Sequence, residues 1–265
     1  MEGLKRNKFT LKYFVDSVDA DFIFLNESLI FQFEETQATD IFHGEYCHAL
    51  NSDDMYDPEL PIIKNRSNGG TMIFWRKSLD QFVKILPTET TSFLGIVFQP
   101  PDTQPSLHVS IYLPTSGKES EFIAEITKLR IFIEDTLEAY PGCPLFIRGD
   151  SNVNKNNIAR LNIFKDFKSI FKLSCIPLGH NTYHHFQGGG VFDSDIDVIM
   201  LSENDINHAS EKVEHIYCQD DYAIINSHHD VIVSVLGLAK NPPEVTTAKT
   251  EATTVPNNRE RIFLG

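Results

Sequence analysis

PLFIRGDSNVN, residues 144–154, sets a short apolar run directly before a glycine and an acidic residue. Leu145, Phe146 and Ile147 predict a buried strand that delivers Asp150 at its C-terminal end, where the ligand sites of α/β sheets lie. The residues before it predict a helix. Ser116 and Glu119 have capping-box spacing, Phe122, Ile126, Leu129, Ile133 and Leu137 recur on one helical face, and Pro141-Gly142 end the run. A second helix is expected from Ile158 to about Phe171. Helices and buried strands in alternation predict an α/β fold.

Upstream, LHVSIYL at residues 107–113 alternates, with Leu107, Val109, Ile111 and Leu113 on one face and His108, Ser110 and Tyr112 on the other. Residues 71–75 and 93–98 also predict strands. Leu11, Phe14, Val15 and Val18 have helical spacing, and the strand DFIFL that follows puts Glu27 just past its end. Downstream come a Gly188-Gly189-Gly190 loop, DIDVIML from Asp195 and VIVSVLGL from Val231. From about Lys240 the chain turns rich in Pro, Thr and charge. The expected organisation is one domain over residues 1–239 and a disordered linker over 240–265, as in a fragment of a longer polyprotein.

The chain has 265 residues, 41% hydrophobic and 23% charged, with no run able to cross a bilayer. MEGLKRNKF at the start lacks the apolar stretch of a signal peptide, and the four cysteines are scattered without a C-x-x-C pair, which points to an intracellular setting. A net charge of −14 argues against broad, salt-driven attraction to a polyanion. It suits a site that gathers carboxylates around a divalent cation, which then carries part of the phosphate attraction. A nucleic-acid face would still need local cations, for which Lys64, Arg66, Arg148, Lys155 and Arg160 are the candidates. Scattered Lys and Arg are usually solvated surface.

Polar clusters stand at or beside strand ends: Asn26-Glu27, the GDSN at 149–152, Ser194-Asp195-Ile196-Asp197 and Ser227-His228-His229-Asp230. Singly, such a residue is more often a turn residue or a helix cap than a catalyst. His184-His185 and His228-His229 complete no zinc spacing, and Ser151 and Ser227 lie in no nucleophile elbow.

Taken in order, the clusters resemble the endonuclease/exonuclease/phosphatase superfamily, over nearly the whole chain to about residue 238. FLNES corresponds to its first-carboxylate motif, YLP to its Y-x-P, GDSN to G-D-x-N, SDID to S-x-I-D and SHH to S-D-H. The resemblance implies a four-layer α/β sandwich of two mixed, mostly antiparallel sheets flanked by helices. It implies Mg²⁺ or Mn²⁺ as cofactor on Glu27, with Asp150 and His228 as further candidate ligands. Asp150 would serve the attacking water, Asn152 would bond the phosphate and position Asp150, and Tyr112 would contact the phosphate. His229, oriented by Asp197, would stabilise the pentacoordinate phosphate. Such a division of labour suits phosphodiester attack, which needs an activated water and neutralisation of charge on the non-bridging oxygens.

Within the superfamily, YLPTSGKESEF, GDSNVN, TYHHF, FDSDIDVIM and SHHD resemble endonuclease domains of non-LTR retrotransposons, in which Thr182 belongs to an element beside the site. That implies nicking of double-stranded target DNA in the nucleus, and a reverse transcriptase downstream. Two departures stand out: His228 replaces the usual Asp, and the family's first strand with its Asn is missing before Gly3-Leu4. A sheet short of that strand would have an exposed edge and predicts weakened activity. The alternatives are a phosphatase or phospholipase of the same fold, and a non-catalytic remnant acting as a binding module.

Overall fold

The computed structural model of the protein describes residues 4–52, 69–178, 181–187, 190–202, 213–215, 232–237 and 259–264. The chain opens with helix α1 (Leu4–Val18), strand β1 (Phe22–Asn26), helix α2 (Glu35–Thr39) and strands β2 (Tyr46–Asn51), β3 (Thr71–Arg76), β4 (Val83–Leu86), β5 (Phe93–Phe98) and β6 (Ser106–Tyr112). Helix α3 (Glu119–Ala139), strand β7 (Leu145–Asp150) and helix α4 (Ile158–Ile170) follow. The rest is strand: β8 (Leu173–Cys175), β9 (Tyr183–Gln187), β10 (Gly190–Ser194), β11 (Asp197–Ser202), β12 (Val213–His215), β13 (Ile232–Gly237) and β14 (Arg259–Leu264).

Two six-stranded sheets form, in the orders β12-β13-β14-β1-β3-β2 and β4-β5-β6-β7-β11-β8, beside a β9-β10 hairpin. Pairing is antiparallel except between β1 and β14 and between β6 and β7. Three apolar clusters define the layers. Leu4, Leu11 and Val15 of α1 and Ala38 of α2 pack on Ile23, Leu25, Met72 and Phe74, on the outer face of the first sheet. Phe122, Ile126, Leu129 and Ile133 of α3 and Phe164 and Phe167 of α4 pack on Leu107, Val109, Ile111 and Ile147 of the second. Between the sheets lie Phe22, Phe24, Ile73 and Trp75 from one side and Leu94, Ile96, Phe98, Phe146, Ile199 and Leu201 from the other. Strands buried on both faces read as continuous apolar runs, and β1 and β5 do. The architecture is the expected four-layer α/β sandwich.

Two expectations are corrected. Helix α3 is capped at Lys118 with no side-chain cap bond, so Ser116 and Glu119 make no capping box. Glu119 is drawn instead to the Gly117 amide at 3.4 Å and to Arg160 at 2.5 Å. The expected disordered tail over 240–265 contains a strand: β14 lies between β13 and β1, antiparallel to the first and parallel to the second. Strand β1 is therefore paired on both sides, by β3 and by β14. Backbone donors and acceptors left along β1 need partners, and the short Ile262-Phe263-Leu264 run supplies them in register with Phe22, Ile23 and Phe24.

Candidate active site

Three strands of the second sheet bring Tyr112, Asp150 and Asp197 into one row. Parallel β6 sets Tyr112 opposite Asp150, and antiparallel β11 sets Asp197 opposite Asp150. Paired strands lie about 4.8 Å apart, and residues matched in register share a face. That face is the one turned to the first sheet, since Phe146 on β7 and Ile199 on β11 have the same parity and pack between the sheets.

The first sheet answers with the end of β1. In the amide orientation that satisfies both of its ends, Asn26 donates to Ile111 O and Ser110 Oγ and accepts from the Asp150 amide, each at 3.2 Å. Glu27 follows in the left-handed region, φ 53°, and its Oε1 accepts a hydrogen bond from the Tyr112 hydroxyl. The turn is held by backbone bonds from Ser28 N to Gly70 O at 3.2 Å and from Leu29 N to Gly69 O at 3.0 Å. The start of α1 adds Leu4 N to Ser28 O at 3.0 Å. A Cβ on Gly69 would stand 3.1 Å from the Tyr112 ring. Gly69 and Gly70 were not singled out from sequence, although a Gly-Gly pair ahead of a strand is a signal for close backbone approach.

Each residue of GDSN has a physical reason to be there. Gly149 has φ 125°, and a Cβ on it would fall 2.1 Å from Ile111 O and 2.6 Å from the Asn26 amide, so only glycine lets β6, β7 and β1 converge. Asp150 is 3% exposed. Its Oδ1 accepts from the Asn152 amide at 2.7 Å and its Oδ2 from Asn152 Nδ2 at 3.0 Å. Asn152 takes φ 49°, a conformation Asn tolerates better than most residues, and its Nδ2 also donates to Leu113 O at 2.8 Å. Ser151 faces the opposite way and donates to Ile196 O at 2.6 Å.

Asp197 Oδ2 accepts from the buried Thr182 hydroxyl at 2.6 Å. Tyr183, the next residue, also feels Glu27 and Asp150: burial first, then these two carboxylates, push its phenol up. Tyr112 is pushed well above the ordinary phenol range by burial and then by Glu27. It is therefore a neutral O–H donor at any physiological pH.

Among the described residues, the donors at this end of the seam are oxygens: the carboxylates of Glu27, Asp150 and Asp197, the phenol of Tyr112 and the amides of Asn26 and Asn152. Among the described residues no three His, Cys, Asp or Glu side chains form a group able to hold a metal by themselves. A hard cation of the magnesium kind takes one or two carboxylates and keeps several waters, so this donor set fits it and does not fit a closed zinc cage.

Of the residues expected at the site, Glu27, Tyr112, Asp150, Asn152, Asp197 and Thr182 come together. Ser227, His228 and His229 lie outside the described residues, as do Lys64 and Arg66. His184 and His185 fall on β9, opposite Asp193 and Phe192 of the hairpin. The expected basic rim is corrected at two positions: Arg148 and Arg160 are 0% and 1% exposed, so neither can meet a phosphate backbone, whereas Lys155 is exposed. Both arginines follow strand or helix patterns whose inward positions are normally apolar, which is why their charge reads as surface.

The four-layer sandwich is the fold of the endonuclease/exonuclease/phosphatase proteins, and this chain has that fold. It is similar to the endonuclease domain of TRAS1, a telomere-specific non-LTR retrotransposon, with TM-score 0.50 and 11% identity over 79% of this chain and 94% of that one. TDP2 of D. rerio, solved with a single-strand DNA product, matches with TM-score 0.51 and 16% identity over 91% and 86%. The Bacteroides thetaiotaomicron mannosyl-6-phosphatase Bt3783 matches with TM-score 0.51 and 17% identity over 76% and 78%. No protein-family model matches the chain, and no curated protein does. No helix among the described residues is long and apolar enough to cross a membrane.

Proposed function

We propose that this protein is a metal-dependent phosphodiesterase that nicks DNA. The observation that supports this most is the register-matched row Tyr112, Asp150 and Asp197 facing Glu27 across the seam. Glu27 would hold Mg²⁺ or Mn²⁺, with Asp150 and His228 as further candidate ligands, and the bound ion would supply Lewis-acid stabilisation of charge on the phosphate. Asp150 orients the attacking water and takes its proton. Each of its oxygens already accepts one bond from Asn152, and a carboxylate oxygen has lone pairs to spare for a water. Asn152 thereby fixes the direction in which Asp150 accepts. The neutral Tyr112 hydroxyl donates to a non-bridging oxygen, and Asp197, steadied by Thr182, orients His229 as the second donor.

DNA as the substrate is supported by the likeness to the TRAS1 endonuclease and to TDP2 holding a DNA product. A retrotransposon-type polyprotein with a reverse transcriptase downstream, acting in the nucleus, is the fuller form of this reading. Nicking of supercoiled plasmid in Mg²⁺, with EDTA as blank, tests it on wild type, Asp150→Ala and His229→Ala. The expected result is metal-dependent nicking that falls by about 10²–10⁴-fold in each variant. A well-folded wild type that leaves the plasmid supercoiled sinks the nuclease reading.

One observation favours a small phosphoester instead. Burial of Arg148 and Arg160 removes two of the five cations proposed for a DNA face, on a chain of net charge −14, and a sugar phosphatase is among the similar structures. Turnover of a sugar phosphate without plasmid nicking would select that reading.

A further inference from the structure

Arg160 takes no part in the chemistry above, yet it is among the largest fully buried side chains of the protein. Its guanidinium sits where the loop after β6 meets the loop after β7. Nη1 donates to Pro114 O at 2.5 Å and to Asn152 O at 3.3 Å, and Nη2 donates to Thr115 O at 2.7 Å. Nε donates to Glu119 Oε2 at 2.5 Å, and the plane lies 4.5 Å from the centroid of the Phe122 ring. The first loop leaves β6 directly after Tyr112. The second leaves β7 directly after Asp150 and contains Asn152.

We propose, building on the phosphodiesterase reading, that Arg160 is a positioning residue that locks the Tyr112 loop and the Asn152 loop into one rigid piece. Two observations carry this. Asn152 holds both Asp150 oxygens from a left-handed conformation, φ 49°, and its own carbonyl is anchored by Arg160. The same guanidinium fixes Pro114 and Thr115, two and three residues past Tyr112, while Asn152 Nδ2 ties back to Leu113. One side chain thus sets the spacing between the phenol that meets Glu27 and the amide that aims Asp150.

Only arginine has the donors for this. Its five N–H groups lie in a planar fork, so three carbonyls and a carboxylate can be met at once, whereas a lysine ammonium offers three donors from one point. Glu119 is half exposed at the other end; it neutralises the buried charge and accepts from the Gly117 amide at 3.4 Å. A misplacement near 1 Å in a catalytic constellation costs about 10²-fold in rate.

The test compares full-length wild type, Arg160→Met, Arg160→Lys, Arg160→Gly and Glu119→Gln. Arg160→Met and Arg160→Lys should lower kcat for phosphodiester cleavage by about 10²-fold with KM little changed. Arg160→Gly should recover about tenfold on adding millimolar guanidinium and nothing on adding ammonium. Glu119→Gln keeps one acceptor oxygen for the Arg160 Nε–H and should stay within about threefold of wild type. A readout independent of activity is hydrogen exchange at the Asn152 amide, which bonds Asp150. It should speed up by at least about tenfold in Arg160→Lys while the Leu129 amide inside α3 is unchanged. Arg160→Lys and Arg160→Met with wild-type kcat, or with Asn152 exchange unaltered beside a protected Leu129, overturns the proposal. Should wild type cleave no phosphodiester, the phosphodiesterase reading fails, and the Asn152 exchange alone still decides whether Arg160 positions the loops.

Discussion

The two six-stranded sheets face one another across a single seam and line its middle differently. The first contributes rings and apolar side chains, with Phe22, Phe24, Ile73 and Trp75 along β1 and β3. The second contributes, between Phe98 and Phe146, a polar file of Ser106, His108, Ser110, Arg148 and Asp150, all buried. Polar groups in a dry layer must find partners there. Arg148 Nη1 donates to His108 Nδ1 at 3.0 Å, which fixes the proton on Nε2, which lies 2.7 Å from Ser106 Oγ, and Ser106 donates to Phe98 O at 3.2 Å. The aromatic sheet accepts this file through its ring faces. The Arg148 guanidinium stands 4.7 Å from the Phe24 centroid, and the His108 imidazole stacks 5.8 Å from Phe22. The second sheet supplies the polar file, and the first packs its rings against it and adds Asn26 and Glu27 at the end of β1.

The sheets also differ in origin. Every strand of the second comes from residues 83–202, whereas the first draws on residues 22–76 and 213–264 and closes through β14. The strongest way to break this contrast is Phe263→Pro. Proline removes a ladder donor from a strand paired on both sides, so the first sheet should lose cooperativity, the melting temperature should fall by about 10 °C, and Glu27 should lose its fixed place. A denaturation profile equal to wild type would mean that β14 contributes nothing to the sheet.

How legible each sheet is in the sequence follows from the same difference. β6, β7, α3 and α4 carry long periodic runs, and the motif residues Tyr112, Asp150, Asn152 and Asp197 stand at strand ends that those runs define. β14 is three apolar residues after Arg259-Glu260-Arg261 in a Pro- and Thr-rich stretch, and its parallel partner β1 lies more than two hundred residues away. Strand propensity is decided by such neighbours, and nothing local announces them. The buried arginines were missed for a related reason: a cation in a pattern reads as surface until the ring and carbonyl partners that accept it are known. The Thr182–Asp197 bond was not readable in the sequence, since the likeness placed each residue by the site and spacing does not show that they meet.

A smaller effect sharpens the contrast at the meeting point of the strands. Gly149→Ala places a methyl against Ile111 O and the Asn26 amide and keeps a positive φ, so stability should drop by about 1–3 kcal/mol. The same change at Gly44, where a Cβ would meet nothing within 4 Å, should cost less, and calorimetry of the two variants measures the difference. Equal losses would mean that the close approach of β6, β7 and β1 is not what Gly149 serves.

The gentlest probe is pH. Burial first, and then Arg148, hold the His108 imidazole well below its ordinary 6.5. Below that value the unfolded chain takes up a proton that the folded chain refuses, so stability falls as pH falls, by up to about 1.4 kcal/mol per pH unit, and does not depend on this group above it. His108→Gln should flatten that part of the profile between pH 6.5 and the onset of carboxylate protonation. Parallel profiles for wild type and variant would mean that His108 titrates normally and that the polar file is wet.

The central claim is that the end of this seam is built to hold a hard divalent cation at Glu27 beside Asp150. Crystals soaked in Mn²⁺ and measured for anomalous scattering address it directly. The account predicts one strong peak in contact with the Glu27 carboxylate at the Asp150 end of the seam, lost in Glu27→Gln. A protein that shows no peak there, or binds Mn²⁺ only elsewhere, contradicts it.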